Sequence, residues 1–234
     1  MIVFGRTKVK AGKRHFDGAL RRRAEWAGGK ARDTIALWCA FFMCLLAVYA
    51  AFSWLPTMLA ASGLSVSVAG TGLTAYNLGG VIGALLCAWT IAHAGSRWPL
   101  VLCSIGGAAS AVWLMGVDAS RHTGWLIVGL GLHGLFVNAV QSTMYALCAY
   151  IYPTAVRATG TASALAFGRL GAILSAFAGA IVITTGGATA YLTMLAIAMR
   201  IVCVALFVVR RHIPRLSRAA AQPREGEELA RTSS

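Results

Sequence analysis

The side chains best able to do chemistry in this chain are polar groups set inside long apolar runs. Arg169 lies about eleven residues into one such run, roughly 16 Å from its start at 1.5 Å per residue. A guanidinium that deep snorkels poorly and costs about 2.5–3.5 kcal/mol to insert, so it needs a carboxylate, carbonyl oxygens or a wet cavity. No carboxylate falls inside the expected spans, and Asp118 lies between two of them. The counter-charge must then come from a bound anion or from another polypeptide. Asn138, Gln141, Tyr145 and Cys148 recur at steps of three, four and three, which puts them on one stripe of a helix. That stripe suits either a ligand cavity or interhelical hydrogen bonds, and the spacing admits both.

Three weaker signals accompany these. His133, a lone titratable ring, could relay a proton or only hydrogen-bond a neighbouring helix. Tyr49 shares a face with Ser53, and Tyr76 adjoins Asn77; these rings would suit a ring-shaped ligand, whereas Trp38 and Trp54 fit an interfacial belt. Arg200 has only apolar neighbours, and snorkelling toward Arg210 and Arg211 is the simpler expectation. The six cysteines are scattered singly, and no phosphate-cradling loop, metal-ligand set or nucleophile triad is present. No cofactor is expected. Enzymatic chemistry within the membrane would need a nucleophile or paired acids that the apolar runs lack.

Helices must position these groups. The chain is 58% hydrophobic and 12% charged, against about 25% charged in an ordinary globular domain. Six stretches are long and apolar enough to span a bilayer, at 35–60, 68–94, 99–117, 124–151, 158–183 and 189–209. Short turns separate them at Ser62-Gly63, Gly95-Ser96, residues 118–123, Tyr152-Pro153 and Gly186-Gly187. The expected fold is an all-α membrane protein, an antiparallel bundle of six spans.

Charge sets the orientation. Ten basic residues fall within 6–32 and six within 210–231, while residues 34–198 hold four. Basic flanks around an apolar body fit a membrane surface, and neither flank has the apolar periodicity to build a nucleic-acid-binding domain. With both ends cytoplasmic, the inner segments carry nearly all the basic residues and the outer loops only Arg121. Residues 1–33 read as a basic cytoplasmic segment, 34–209 as the membrane domain, and 210–234 as a cytoplasmic tail with acids at 225–228. No cleavable signal is expected at the N-terminus, because about thirty polar residues precede the first span.

The string Tyr145-Ala-Leu-Cys-Ala-Tyr-Ile-Tyr-Pro153-Thr-Ala-Val-Arg157-Ala-Thr-Gly160, running on to Gly168-Arg169-Leu-Gly171, resembles helices 10 and 11 of the aromatic acid:proton symporters of the major facilitator superfamily. Arg32-Asp-Thr-Ile-Ala-Leu-Trp38, Ser53-Trp54-Leu-Pro56 and Tyr76-Asn77-Leu-Gly79-Gly80-Val-Ile-Gly83 are similar to that family's helices 7 and 8. The resemblance implies half of a twelve-helix fold, helices 7 to 12, in the cell inner membrane. Residues 1–33 would then correspond to the central loop between halves. It also implies import of an aromatic carboxylate with a proton, by alternating access against an N-terminal six-helix half. Arg169 would neutralise the carboxylate. Gln141, Tyr145, Asn138, Asn77 and Tyr49 would line the cavity, and Arg157 would sit at the inner gate.

Three features depart from the family pattern. The turn Ala92-His93-Ala94-Gly95-Ser96-Arg97 lacks the usual acid before its glycine, which weakens a charge relay at the inner gate. The spans hold no proton-binding carboxylate, and 234 residues make half a transporter. Two readings stand beside the symporter half: a shortened non-transporting remnant or membrane interaction subunit, and a facilitator of another substrate class such as a sugar or organic ion.

Overall fold

A computed structural model describes residues 4–118 and 121–215, with side chains from Ala31 onward apart from residue 155. The basic side chains of 6–30 and the acids at 225–228 lie outside the described residues. Five helices follow one another: α1 (Phe4–Ala61), α2 (Val66–Ala94), α3 (Arg97–Met115), α4 (Thr123–Ile151) and α5 (Arg157–Val208), with one 3-10 turn at Thr154–Val156 before the last. All five are long and apolar enough to cross a membrane, α1 over its segment Ala31–Ala61. Its helical backbone begins at Phe4, well before the expected start of the first span.

α5 needs a break. Its 52 residues would run roughly 78 Å as a straight helix, more than twice a hydrocarbon core. The break falls at Gly187, with φ 62° and ψ −155°, a conformation open to glycine and strained for other residues. Ala178 before it lines the same cleft as Ile197 after it, together with Met43 and Leu46 of α1. Those two residues would stand roughly 28 Å apart on an unbroken helix, so the two arms fold back alongside each other. Gly63 and Gly95 take positive φ at the other two expected glycine turns.

α1 is central and α2 peripheral. In the most apolar stretch of each, 56% of α1 is buried against 22% of α2. The core gathers Leu37, Phe41 and Leu45 of α1 with Met144 and Leu147 of α4 and Tyr191, Leu195 and Met199 of the second arm of α5. Tyr191 donates its phenol to the Ala50 carbonyl at 3.0 Å, so the one polar atom of that buried ring is satisfied. Along α2 and α4 the backbones touch: a Cβ at Gly79 would strike the Gly131 carbonyl, at Gly83 the Leu135 carbonyl, and at Gly134 the Tyr76 carbonyl. Such an approach is open only to glycine.

Trp38 and Trp54, expected at the headgroup belt, face the first arm of α5. Trp38 stacks on Phe167 at 5.4 Å between centroids, and Trp54 lies against Gly179. The close helix contact made possible by Gly168 and Gly171 against Phe41 and Phe42 draws both indoles inward.

A clasp closes the bundle at the end where α2 meets α3. The Ser96 amide donates to the Ile213 carbonyl at 3.0 Å, and the Ile213 amide donates to the Ser96 hydroxyl oxygen at 2.8 Å. His212 lies between them. Its Nε2–H donates to the Val209 carbonyl at 2.9 Å, which leaves Nδ1 to accept from the Ser96 hydroxyl at 3.5 Å. Asp33, an acid at the foot of α1, accepts from the Arg210 amide at 3.3 Å and pairs with Arg32 at 3.4 Å.

Burial, first of all, holds the His212 ring below the ordinary imidazole value; Arg97 lowers it further, while the Val209 carbonyl and Asp33 act the other way. The undocked segment therefore binds the proton more readily. Docking is complete above pH about 6.5 and weakens as the pH falls through the lower folded value. Amide exchange at Ser96 and Ile213, corrected for the intrinsic rate, will show protection lost on acidification, and His212→Gln will flatten that dependence. Equal protection at pH 5 and pH 8 in the wild-type chain would rule out a titrating clasp.

Candidate functional site

Phe41 joins two of the expected site residues. The Tyr145 ring meets Phe41 edge-on at 5.6 Å, and a Cβ on Gly168 would lie 3.3 Å from the Phe41 Cβ. Arg169 leaves the chain between Gly168 and Gly171, the two glycines pressed on α1, and its own side chain is exposed. Arg169 is thus level with residues 38–42 of α1, about 18 Å beyond Arg157 at the start of α5. Among the described residues nothing pairs with its guanidinium. Asp33 is a buried carboxylate at the foot of α1, two residues before the expected start of the first span. It lies about five to nine residues below the Arg169 level, roughly 8–13 Å, and is already engaged by Arg32 and the Arg210 amide.

The α4 stripe divides in the structure. Asn138 donates to its own helix at the Gly134 carbonyl, 3.0 Å, and packs on Gly80, where a Cβ would lie 2.7 Å from its Nδ2. It belongs to the α2–α4 contact. Cys148 is fully buried in the core. Gln141 is half-buried with no hydrogen-bond partner among the described residues, and Tyr145 is 37% exposed, so these two remain open to a ligand. Asn77 is exposed and its amide donates to the Leu73 carbonyl of its own helix at 2.9 Å. Tyr49 is half-buried against the core, one turn beyond Leu45, whose methyl group fills the space beside Gly168.

The remaining candidates lie apart. Arg157 is exposed at the start of α5, its Nε donating to the Tyr152 carbonyl at 3.4 Å. Arg200 is exposed in a cleft of about 780 Å³ between α3 and the second arm of α5, away from Arg169. His133 sits on the α3-facing side of α4, about 140° around the helix from Asn138. Its Nδ1 lies 2.9 Å from the Ser110 hydroxyl and 3.2 Å from the Gly107 carbonyl, and Ser110 also donates to that carbonyl at 3.0 Å. Since a carbonyl only accepts, Nδ1 carries the hydrogen and Nε2 is a bare, buried lone pair without a partner. Tyr76 tilts against the ring at 6.1 Å, fully buried rather than open to a ligand, and its phenol oxygen likewise lacks a partner.

The candidate residues are thus an exposed guanidinium on α5 and an amide and a phenol on α4, with Phe41 of α1 touching Tyr145 and Gly168, the neighbour of Arg169. A guanidinium can match a carboxylate in two parallel hydrogen bonds. Among the described residues no group of histidine, cysteine, aspartate and glutamate is placed to hold a metal.

The sequence profile of the Major Facilitator Superfamily matches residues 37–232. The chain is 34% identical to the gallate transporter of Pseudomonas putida over 65% of this chain and 34% of that protein. It is 32% identical to the 4-hydroxybenzoate transporter PcaK of Acinetobacter baylyi over 86% of this chain and 43% of that one. With the 3-(3-hydroxy-phenyl)propionate transporter of Escherichia coli it shares 35% over 64% and 37% of the two chains. The chain thus spans between a third and under half of the length of these relatives. In fold it is similar to a crystal structure of an auto-inhibited POT family peptide transporter, with a TM-score of 0.67 at 14% identity over 79% of this chain and 38% of that one.

Proposed function

The chain belongs to the Major Facilitator Superfamily, and from that premise we propose that it is the six-span C-terminal half of a proton-coupled symporter for an aromatic carboxylate or a similar organic anion. The observation that carries this reading is Arg169. It is an exposed guanidinium without a partner among the described residues, deep in a membrane-spanning helix, and it follows Gly168, which packs on Phe41, in a chain similar to transporters of gallate and hydroxybenzoate. A cation held there at a cost of about 2.5–3.5 kcal/mol is best explained by an anion that neutralises it.

In this reading the two arms of α5 are the fifth and sixth spans, and α1 to α4 the first four. Both termini face the cytoplasm of an inner-membrane protein, an orientation that the basic flanks favour. Arg169 binds the carboxylate, while Gln141, Tyr145, Asn77 and Tyr49 line the path, with Asn138 shaping the α2–α4 wall. Arg157 sits at the inner gate. His133 Nε2, bare beside Tyr76, is where this half could take a proton. One half cannot enclose a midplane site, so an N-terminal six-helix half completes it.

Uptake of labelled 4-hydroxybenzoate, gallate and a sugar control by cells producing the chain with and without an N-terminal half tests the reading. Proton-dependent uptake of the aromatic acids in the paired cells alone is the expected result. Accumulation of no organic anion in either, with the chain present in the membrane, refutes it.

A further inference from the structure

We infer that the cleft beside the Ser96–Ile213 clasp binds the phosphate headgroup of an anionic phospholipid from the inner leaflet. The cleft, about 550 Å³, is walled by Gly95, Ser96 and Arg97 on one side and His212, Pro214 and Arg215 on the other. Arg97 and Arg215 are both exposed, and neither meets a carboxylate among the described residues; Arg97 holds its guanidinium over the Phe207 ring at 5.6 Å. Asp33, the nearest described acid of the clasp, is taken up by Arg32 and the Arg210 amide. The cleft also opens at the first turn of α3, whose N-cap Ser96 makes no side-chain cap bond. Free backbone N–H groups there add to the pull of two guanidinium groups on an anion.

Depth selects the lipid over a soluble phosphate. Trp98, next to Arg97, is 62% exposed at the end of a spanning helix, the level at which indoles meet headgroups. A phosphodiester between Arg97 and Arg215 would leave its acyl chains running along the apolar surface of α3 beside Trp98 and Leu102, both exposed. Basic pockets at the cytoplasmic ends of spanning helices favour this class of ligand. The inference rests on the orientation given above, but its readout needs no transport.

The test exchanges the purified full chain into micelles holding equal phosphatidylglycerol and phosphatidylcholine, then measures the lipid retained by mass spectrometry. The wild-type chain should retain phosphatidylglycerol preferentially. Arg215→Gln, which lies outside every helix, should lower that preference about five-fold, and Arg97→Gln with Arg215→Gln roughly twenty-five-fold. Arg121→Gln, at the opposite end, should leave it unchanged. Equal retention of both lipids by the wild type, no change in the Arg215→Gln variant, or an equal loss in Arg121→Gln overturns the inference. Displacement of phosphatidylglycerol by millimolar inorganic phosphate overturns the choice of lipid and leaves a free-phosphate site. If the double variant melts at a lower temperature, Arg215→Gln alone decides.

Discussion

Arg169→Gln is expected to abolish uptake of aromatic carboxylates by cells that also produce an N-terminal half, and to lower their affinity ten- to a hundred-fold. A hydrogen bond to a charged group contributes about 1.5–3 kcal/mol, and a two-pronged guanidinium–carboxylate pair sits at the upper end. Arg169→Lys keeps the charge but loses the planar fork, so it should fall between, with affinity down about ten-fold. The change has a second signature. Without ligand, the guanidinium has no partner among the described residues, so Arg169→Gln should raise the melting temperature of the ligand-free chain while removing the rise that hydroxybenzoate produces in the wild type. A residue of merely structural importance would move stability the other way. If Arg169→Gln binds and carries the acid as the wild type does, Arg169 is not the carboxylate's partner.

That prediction was open to the sequence because it depends on depth and on the absence of a nearby acid, both visible in the chain. The glycine turns were legible for a similar reason: Gly63, Gly95 and Gly187 stand where apolar runs end, and all three adopt positive φ. What the sequence could not show was which side of each helix meets which neighbour. Asn138, Gln141 and Tyr145 share a stripe, yet Asn138 is drawn into the α2–α4 contact by the missing side chain of Gly80. His133, which could relay a proton or only hydrogen-bond a neighbouring helix, lies 140° around α4 from Asn138 and meets Ser110 on α3. Trp38 and Trp54 are good belt residues by type, but their partners Phe167 and Gly179 on α5 carry no local signal that names them.

Long-range pairs were the least legible. Asp33 reads as one more charged residue at the edge of a basic segment, and its role appears only when the chain 177 positions later returns to it. The Ser96–Ile213 clasp and the Tyr191–Ala50 bond are of the same kind, since neither partner carries a local pattern that names the other. Both tie late residues to earlier spans, so the second arm of α5 is held near Gly187 by Tyr191 and just beyond its other end by the clasp. That leaves the first arm, which carries Arg169, attached mainly through its glycine face on α1.

The α2–α4 contact makes the largest demand on stability. Gly134→Ala should lower the melting temperature in detergent by about 10 °C or leave no folded chain. An added Cβ at Gly134 would strike the Tyr76 carbonyl, and one at Gly83 the Leu135 carbonyl, closer than real Cβ contacts come. Backbone cannot swing aside as a side chain can, so the helices must separate along the seam that buries Tyr76. Overpacking of this kind costs about 1–3 kcal/mol or more, and a kilocalorie shifts a domain of this size by roughly 2–4 °C. The same substitution has the opposite sign where nothing crowds the glycine. Gly70 on α2 and Gly124 on α4 have open space where a Cβ would go, and alanine there should stabilise the helices by about 0.5–1 kcal/mol. Thermal melts of the four single variants decide it: Gly134→Ala and Gly83→Ala below the wild type, Gly70→Ala and Gly124→Ala at or above it. If all four melt together, the two helices are not in backbone contact.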